Sequence, residues 1–272
     1  MKQPRKHLLC LLLALWLTGV LLAGCAADTA DSNADLPVIT VGCDNYPPFN
    51  YVNGNGQPAG IDVELAAEAF RRMGYRPEYI TINWTEKNAL LESGAIDCIW
   101  GSFSMNGRED EYTWAGPYMY SHQVVAVMPD SDIQTLADLA GKTVVVQATT
   151  KPESLFLDGN DPRIPEIRAL HSLQKQELIY SHLAKGYADA VATHEISLLQ
   201  YMADYGAEFR ILEDPLEVVG LGVAFSRSDD RGIAQALSAT LEQMRTDGTT
   251  RSILASYLAD PDKYLEADGY AD

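Results

Sequence analysis

The stretch that decides the fold is Asp97-Cys-Ile-Trp-Gly-Ser-Phe-Ser-Met-Asn-Gly-Arg-Glu-Asp-Glu-Tyr-Thr-Trp-Ala-Gly-Pro-Tyr118. Its apolar run from Cys98 to Trp100 is typical of a strand that is buried on both faces. Ser102 and Ser104 follow, so we expect their hydroxyl groups at the carboxyl end of that strand. Ligands of open α/β sheets bind at the carboxyl ends of strands, so the stretch indicates a binding site there.

A turn after the serines brings one arginine to the same place. Asn106-Gly107 is a strong turn signal, and we expect Arg108 to open the helical segment that follows. A planar guanidinium with five donors and the unpaired N–H groups of a helix start then point at one spot. The stretch therefore predicts a place where a carboxylate is held. In the alternative, Arg108 pairs with Glu109, Glu111 or another surface acid, with little energetic consequence.

Strand and helix patterns alternate along the rest of the chain, which indicates an α/β fold. Strands are predicted over residues 37–43, 79–82, 95–101, 123–128, 143–147, 167–170, 188–192 and 218–225. Helices are predicted over residues 61–73, 85–93, 135–139, 152–157, 172–185, 196–205, 230–245 and 249–258, with Thr85 and Ser172 as caps of two of them. The chain beyond residue 36 is long enough for two lobes, each with its own core.

The first residues have the pattern of an export signal. Three basic residues precede the apolar run Leu8 to Leu22, which is shorter than the roughly 20 apolar residues that span a bilayer. The run ends in Leu22-Ala-Gly-Cys25, which resembles the bacterial lipobox. We therefore expect a signal peptide over residues 1–24, a lipidated Cys25 that anchors the chain outside the cytoplasm, and a flexible tether over residues 25–36. A spanning helix with a chance cysteine is the alternative.

The chain is strongly acidic, which excludes one class of partner. It has 20 Lys+Arg and 38 Asp+Glu, a formal net charge of −18, and removal of the basic leader makes the charge more negative. Such a surface repels nucleic acid and anionic lipid, so we expect no polyanion partner. The acidity otherwise serves solubility, because a negative field selects cationic ligands only where a cleft focuses it.

The cysteines and the absent motifs limit the chemistry. Of four cysteines, Cys10 leaves with the leader and Cys25 is lipidated, so Cys43 and Cys98 remain. These two either form a disulfide, as an extracytoplasmic setting allows, or are buried free thiols. No cysteine and histidine cluster has zinc-ligand spacing, and the chain has no phosphate loop and no Gly-x-Ser-x-Gly elbow. We expect no metal, no other cofactor and no catalytic residue.

A series of short motifs follows along the chain, and no single one is specific. They are Asp44-Asn-Tyr-Pro-Pro-Phe49, Gly60-Ile-Asp-Val-Glu-Leu65, Ile82-Asn-Trp84, Leu90-Leu-Glu-Ser-Gly-Ala-Ile-Asp97, Arg108, Ala115-Gly-Pro-Tyr118, Asp138-Leu-Ala-Gly-Lys-Thr-Val-Val-Val-Gln147, Ala188-Asp-Ala-Val191 and Gly220-Leu-Gly-Val-Ala-Phe225. In order and spacing they resemble family 3 extracellular solute-binding proteins, the polar-amino-acid receptors of ABC importers. The resemblance covers about residues 37–260.

The resemblance implies a two-lobed periplasmic-binding-protein type II fold. Each lobe is then a mostly parallel sheet flanked by helices, and two hinge crossovers join the lobes near residues 121–125 and 218–222. Lobe 1 would combine residues 37–122 with 222–272, and lobe 2 would be the continuous segment 123–221. The ligand would lie in the cleft, and its better contacts in the closed state would shift the hinge toward closure.

The resemblance also implies the residues at one end of the ligand. Arg108 would pair with the ligand carboxylate, with Ser102 and Ser104 beside it. Asn106 belongs to the same candidate set, although Met105 and Asn106-Gly107 depart from the residues that the family usually has there, so the contacts just before the arginine are open.

Further candidates come from both lobes. Tyr46 and Trp84 match the positions that sandwich the ligand side chain, since flat rings offer large apolar area with few rotors to freeze; the alternative for each is a core position. In lobe 2, Thr149 and Thr150 match the loop that completes the carboxylate site, and there a plain helix cap is the alternative.

The other end of the ligand departs from the resemblance. Many relatives bind the ligand α-ammonium with an aspartate, and this chain has His194 at that position. A neutral histidine can accept a hydrogen bond, but a protonated one would repel an ammonium. Either Glu195 or Asp44 supplies the missing charge, or the ligand is not a standard α-amino acid.

Three functions from different classes follow from these residues. The first is a monomeric, lipid-anchored receptor that delivers an amino acid, an analogue or another small carboxylate to an ABC permease. The second is an enzyme similar to the cyclohexadienyl dehydratases of this fold, with His194 or Glu195 as acid or base. The third is a sensory module for a membrane partner. We expect the receptor, because the enzyme needs proton-transfer groups within about 3 Å of a bound substrate and one His-Glu pair is not evidence of such groups.

Overall fold

The computed structural model describes residues 35–267, and from Pro37 onward they belong to one compact unit. The predicted signal peptide, Cys25 and most of the predicted tether lie outside the described residues. Within residues 35–267, no helix combines the length and the apolar character that a membrane span needs.

The elements alternate between strand and helix, as the sequence predicts. The strands are β1 (Val38–Cys43), β2 (Tyr51–Val52), β3 (Pro58–Ala59), β4 (Arg76–Thr81), β5 (Cys98–Ser104), β6 (Thr113–Val127), β7 (Thr143–Gln147), β8 (Ala169–Leu173), β9 (Ala190–His194), β10 (Arg210–Ile211) and β11 (Glu217–Phe225). The helices are α1 (Ile61–Met73), α2 (Lys87–Glu92), α3 (Lys151–Asp158), α4 (Gln176–Ala184), α5 (Glu195–Tyr205), α6 (Ile233–Thr246) and α7 (Thr249–Ala255). Short 3-10 turns lie at Trp84–Glu86, Leu136–Leu139 and Asp262–Tyr264.

One sheet runs through the whole described unit. Its strand order is β4-β1-β5-β11-β6-β9-β7-β8, and β10 pairs with β6. The pairs β4-β1-β5 and β9-β7-β8 are parallel, whereas β5-β11-β6-β9 are antiparallel. A mixed α/β sheet with one parallel part at each end and helices on its faces is what the predicted two-lobed fold requires, so the expected fold class is confirmed.

Two long strands connect the lobes. β6 and β11 pair antiparallel, with Val218 opposite His122 and Glu217 opposite Gln123. The expected crossovers near residues 121–125 and 218–222 lie inside these two strands. The assignment of residues 37–122 and 222–272 to one lobe and 123–221 to the other stays a prediction.

The first lobe buries one face of α1 against the sheet. Ile61, Leu65 and Ala69 lie at four-residue steps and are all buried, as an amphipathic helix requires. The helix ends at Gly74, which has a left-handed φ of 79°. Its partners in the core come from α6 and from β1, β5 and β11, so the loop before α1 is held in a fixed place.

The second lobe covers its parallel strands on both faces. Val144 and Val146 of β7 belong to one apolar cluster and Val145 belongs to another on the opposite face. Alternate residues of a strand point to opposite faces, so this continuous valine run is what a doubly covered strand needs. The helices thus leave the carboxyl ends of the strands free to face the first lobe.

The expected helix after Arg108 is wrong. Residues 106–111 form turns, in which Arg108 N donates to Met105 O at 2.9 Å and Glu111 N donates to Arg108 O at 3.0 Å. β6 already begins at Thr113, and so short a segment cannot offset the cost of helix nucleation. Arg108 therefore has no helix N-terminus beside it on its own segment.

Three further local predictions are corrected. β5 spans Cys98–Ser104 rather than residues 95–101, so Ser102 and Ser104 lie within the strand. The cap near residue 85 is Asn83, whose side chain accepts from Thr85 N at 3.2 Å. Ser172 does not cap α4 because it lies in β8 and pairs with Val146 of β7.

The two remaining cysteines are free and buried, so the disulfide alternative is wrong. Val41, not Cys43, lies opposite Cys98 in the parallel pair of β1 and β5, and this register sets the two cysteines two residues apart along the strands. Burial raises the pKa of Cys43 to about 12, so its thiol is protonated at neutral pH.

Candidate ligand-binding cleft

A cleft lies where the carboxyl ends of strands from the two lobes meet. It brings together eight of the predicted site residues, namely Asp44, Tyr46, Trp84, Ser102, Ser104, Arg108, Thr150 and His194. The cleft is lined from both sides, since β1 and β5 belong to one parallel end of the sheet whereas β7 and β9 belong to the other. This position matches the rule that ligands of open α/β sheets bind beyond the carboxyl ends of strands.

The lobes are closed on each other in this structure. Gln147 Nε2 donates to Asp44 Oδ2 at 2.8 Å, and Tyr46 Oη lies 3.2 Å from Thr193 Oγ1. The cavity beside Arg108 and His194 is about 20 Å³, which is room for about one water molecule. A wider cavity of about 410 Å³ adjoins it and shares Asp44, Trp84 and Gln176. A small organic ligand therefore needs the lobes to open before it can reach Arg108.

Arg108 has no carboxylate partner within the described part of the chain. Its Nη1 donates to Ser104 O at 3.3 Å, and its guanidinium carbon lies 5.3 Å from the centre of the Phe103 ring. No salt bridge of Arg108 occurs among residues 35–267, so the surface pairing with Glu109 or Glu111 is not seen there. Burial lowers the pKa of Arg108, but arginine stays protonated at neutral pH.

A buried carboxylate sets the shape of the strand end beside Arg108. Asp62 Oδ2 accepts from Ser102 N at 2.7 Å and from Asn50 Nδ2 at 3.0 Å, and its Oδ1 accepts from Tyr118 Oη at 2.9 Å. Ser102 has a φ of 44°, a left-handed conformation that costs a residue with a Cβ about 1–2 kcal/mol. The hydrogen bond to Asp62 holds Ser102 in this conformation at the cleft.

Tyr46 and Trp84 both line the cleft and are both 5% exposed, so each also belongs to the core. The Tyr46 ring stacks on Phe49 at 5.7 Å, and the Trp84 ring meets Phe103 edge-on at 5.2 Å. Trp84 Nε1 is buried and has no hydrogen-bond partner among residues 35–267. In the closed state both rings are buried in the core and also border the cleft. Their contact with a ligand stays a prediction.

His194 is neutral in this environment. Burial lowers its pKa to about 3, and its ring contacts Ser121 Oγ at 3.0 Å from Nδ1 and Gln123 Nε2 at 3.0 Å from Nε2. Gln123 Nε2 also lies 3.2 Å from Nδ1, so this amide of β6 is close to both ring nitrogens. His194 lines the cleft without adding the positive charge that would repel an ammonium.

Of the two acids that could replace the missing charge, only Asp44 lines the cleft. Glu195 Oε2 lies 2.9 Å from Lys263 Nζ and 3.4 Å from Tyr264 Oη, away from the cleft residues. Burial raises the pKa of Asp44 to about 6, against the opposing effect of its hydrogen bond from Gln147. Asp44 is therefore the carboxylate that can face a ligand ammonium.

Asn106 and Thr149 lie next to the cleft rather than in its lining. Asn106 Oδ1 accepts from Gly220 N at 3.0 Å, so it ties the turn before Arg108 to β11. Thr149 N donates to Glu153 Oε2 at 2.6 Å. Thr150 lines the cleft, and its hydroxyl donates to Gln147 O at 2.6 Å instead of capping α3.

Several polar cleft residues were not predicted. Gln123, Gln147 and Gln176 line the cleft. The Oε1 atoms of Gln123 and Gln176 are buried and have no hydrogen-bond partner in the described part of the chain. Asp62 was missed as well, although an acid between the buried residues Ile61 and Val63 is a signal for a buried polar contact. The glutamines carry no such signal, because a glutamine at the end of a strand or helix is usually exposed.

Comparison with known proteins identifies the family. A model of the bacterial extracellular solute-binding proteins, family 3, matches residues 39–260. The chain belongs to this family. The solute-binding protein is 30% identical over 229 residues to the histidine-binding periplasmic protein of Salmonella typhimurium. The aligned region covers 80% of this chain and 86% of the relative.

A second relative supports the same family, and a solved structure supports the fold. The solute-binding protein is 27% identical over 275 residues to the glutamate-binding protein GluB of Corynebacterium glutamicum, covering 92% of this chain and 90% of the relative. It is also similar to the crystal structure of Tv2483 bound to L-arginine, with a TM-score of 0.75 at 23% identity, covering 82% and 91% of the two chains. The two-lobed fold is thus shared with solved amino-acid-binding proteins.

Proposed function

We propose that the protein is a receptor that binds an amino acid, or a similar small carboxylate, between its lobes. The observation that carries this proposal is Arg108, a guanidinium in the cleft without a carboxylate partner among the described residues. An uncompensated cation withdrawn from water is costly, and a ligand carboxylate offsets that cost through charge-assisted hydrogen bonds. Ser102, Ser104 and Thr150 lie beside the same anchor.

The opposite side of the cleft supports a ligand that also carries an ammonium. Asp44 lines it, and the Oε1 atoms of Gln123 and Gln176, which lack a hydrogen-bond partner within residues 35–267, are acceptors that an ammonium can satisfy. Acceptors at one end and a cation at the other suit a zwitterion. The names of the relatives, which refer to glutamate and histidine, support the same ligand class.

Delivery and anchoring are part of the same proposal. We propose that Cys25 is lipidated, that it holds a monomeric receptor outside the cytoplasm on a bacterial membrane, and that the ligand passes to the permease of an ABC importer. A relative named as a putative amino-acid ABC transporter-binding protein supports the transport role. Mass spectrometry of the mature amino-terminal peptide checks the anchor, and an unmodified Cys25 would contradict it.

The geometry favours binding over turnover. An acid or base must reach the substrate proton directly or through one water, and both nitrogens of His194 already contact Ser121 and Gln123. Glu195 is occupied by Lys263. These contacts support binding rather than turnover as the proposal, and the fate of the ligand in the screen below distinguishes the two.

A ligand screen tests the proposal. We expect the mature chain to show a raised thermal unfolding midpoint with a subset of the twenty amino acids and small carboxylates, because a ligand at 100 times its Kd adds about 2.7 kcal/mol. The bound compound should be recovered unchanged after incubation. A screen without any stabilising compound would contradict the receptor, and a converted compound would favour the dehydratase-like enzyme.

The protonation of Asp44 predicts a pH effect on this binding. Because its pKa is raised to about 6, Asp44 is mostly protonated at pH 5, and an ammonium ligand must displace that proton. We expect the affinity for an α-amino acid to rise about tenfold between pH 5 and pH 7.5, as calorimetry measures. His122 and His194 are neutral throughout, since burial lowers their pKa values to about 4 and 3.

The matched variant for this effect is Asp44→Asn, which keeps the size of the side chain and removes the titrating group. We expect its affinity to be weak and nearly constant over the same pH range. A rise in affinity as steep as that of the wild type would show that another group controls the pH dependence.

A further inference from the structure

Lys87 is a buried cation at the boundary of the two lobes. It is the first residue of α2, it is 5% exposed, and its Nζ lies 5.0 Å from the centre of the Trp84 ring and 5.7 Å from that of Phe103. The same Nζ donates across the cleft to Thr149 Oγ1 at 3.0 Å and to Thr149 O at 3.4 Å. Its partners are neutral oxygens and aromatic faces, and no salt bridge of Lys87 occurs within residues 35–267.

A second cation, Arg108, also lies close to the Phe103 ring. The Arg108 guanidinium lies 5.3 Å from the centre of the Phe103 ring, so two cations flank a single aromatic side chain. Burial first, and then the charge of Arg108, lower the pKa of Lys87 to about 8, which leaves it mostly protonated at neutral pH. Like charges in a water-poor cleft repel each other strongly.

The acids around this pair do not balance both charges. Asp44 and Glu153 act on Lys87 from a distance, but Asp44 accepts from Gln147, and Glu153 accepts from Thr149 N. Glu111 is exposed to water, where its charge is screened. The cleft lining contains the cations Arg108 and Lys151 and the acid Asp44, and Lys151 pairs with Glu217 at 3.1 Å. Arg108 and the adjoining Lys87 therefore remain without a salt bridge among residues 35–267.

We propose that Lys87 makes the cleft selective for ligands with a second acid group, so that an acidic amino acid or a related dicarboxylate binds in preference to its amide. This inference rests on the proposed receptor function and adds the substrate class. One ligand carboxylate faces Arg108, the second compensates Lys87, and an ammonium, where the ligand has one, faces Asp44.

Closure makes this preference possible. Thr149 belongs to the second lobe and Lys87 to the first, so Nζ loses water on the Thr149 side only when the lobes meet. A ligand shifts the lobes toward closure by as much as its affinity for the closed state exceeds that for the open one. A second acid group gains most in the closed state, where Lys87 is withdrawn from water.

The test compares pairs of ligands that differ by one charge. L-glutamate with L-glutamine, and L-aspartate with L-asparagine, are titrated by calorimetry into the mature wild type and into Lys87→Gln, whose amide still has a donor for Thr149. We expect the wild type to prefer the acid of at least one pair by about tenfold or more, as a charge-assisted hydrogen bond provides. In Lys87→Gln this preference should fall by about tenfold, while the affinity for the amide changes little.

Two further variants separate charge from shape. Lys142→Gln makes the same charge change at the amino end of β7, where Lys142 pairs with Asp132, and should keep the preference. Lys87→Arg keeps the charge and should retain most of the acid preference. Equal affinity of the wild type for acid and amide, or equal losses for both ligands in Lys87→Gln, would overturn the inference. If neither these ligands nor any of the screen binds the wild type, the proposed receptor fails, and the inference fails with it.

Discussion

Replacing Arg108 by alanine is expected to lower the affinity for a carboxylate ligand by about 100-fold or more. In the wild type the ligand carboxylate gains charge-assisted hydrogen bonds to a planar fork in a cleft that closes over it. The alanine variant leaves that carboxylate buried without a partner, and this cost is larger than that of losing an exposed ion pair. Calorimetric titration of the two proteins with the ligand found in the screen measures the difference.

The same substitution should leave the ligand-free protein folded. Among residues 35–267 the Arg108 side chain makes one long hydrogen bond, to Ser104 O at 3.3 Å, and a contact with the Phe103 ring. Its removal therefore also relieves an unpaired cation. Arg71→Ala is the matched control, because Arg71 lies on the surface of α1 and pairs with Glu68. We expect Arg108→Lys to bind with intermediate affinity, since it keeps the charge and loses the fork. Unchanged affinity in Arg108→Ala would contradict the assignment of the anchor.

Replacing Asp62 by alanine is expected to lower the free energy of unfolding by about 3–5 kcal/mol and to weaken ligand binding as well. The three donors that Asp62 accepts, from Ser102 N, Asn50 Nδ2 and Tyr118 Oη, would lose their acceptor inside the first lobe. Ser102 would also lose the contact that holds its left-handed conformation beside Arg108. Urea unfolding measures the stability, and calorimetry measures the binding.

The Asp62 variant has a distinctive pH dependence. Burial raises the pKa of Asp62 to about 6, above the roughly 3.9 of an unfolded chain. A raised pKa contributes stability that is fully present below the unfolded value and is lost as the pH rises through about 6. The stability difference between wild type and Asp62→Ala should therefore be larger at pH 4 than at pH 7.

Glu68, on the same helix α1, provides a control whose stability contribution has the opposite pH dependence. Hydrogen bonds from Arg71 lower the pKa of Glu68 to about 2, so its contribution is present above the unfolded pKa and is lost as the pH falls. Glu68→Ala should thus differ from the wild type less at pH 2 than at pH 7. A stability loss of under about 1 kcal/mol in Asp62→Ala would contradict the role given to the buried carboxylate.

Much of the fold could be predicted because local patterns and tertiary packing agree. Helix α1 begins and ends where its four-residue apolar period and Gly74 indicate, and β7 coincides with a valine run buried on both faces. The prediction of a helix after Arg108 failed because there the local pattern and the tertiary packing disagree. A turn signal and polar residues fit a helix start, but the start of β6 at Thr113 depends on pairing with β11, which a local pattern does not contain.

Some residues of the candidate site could likewise be predicted from the sequence, and others could not. The positions of Arg108, Ser102 and Thr150 followed from motif order, and the structure brings them into one cleft. Lys87 was not predicted, because its contact with Thr149 joins residues 62 positions apart across the two lobes. Glu195 was a candidate for the ammonium side, but a partner from the end of the described chain, Lys263, holds it elsewhere.

The most direct test of the central claim is a double-mutant cycle on the ligand carboxylate. The amino acid found in the screen and its α-carboxamide are titrated by calorimetry into the wild type and into Arg108→Ala. We predict that the wild type binds the acid about 10- to 100-fold more tightly than the amide, and that Arg108→Ala binds both with nearly equal affinity. Discrimination as strong in Arg108→Ala as in the wild type would contradict the pairing of the ligand carboxylate with Arg108.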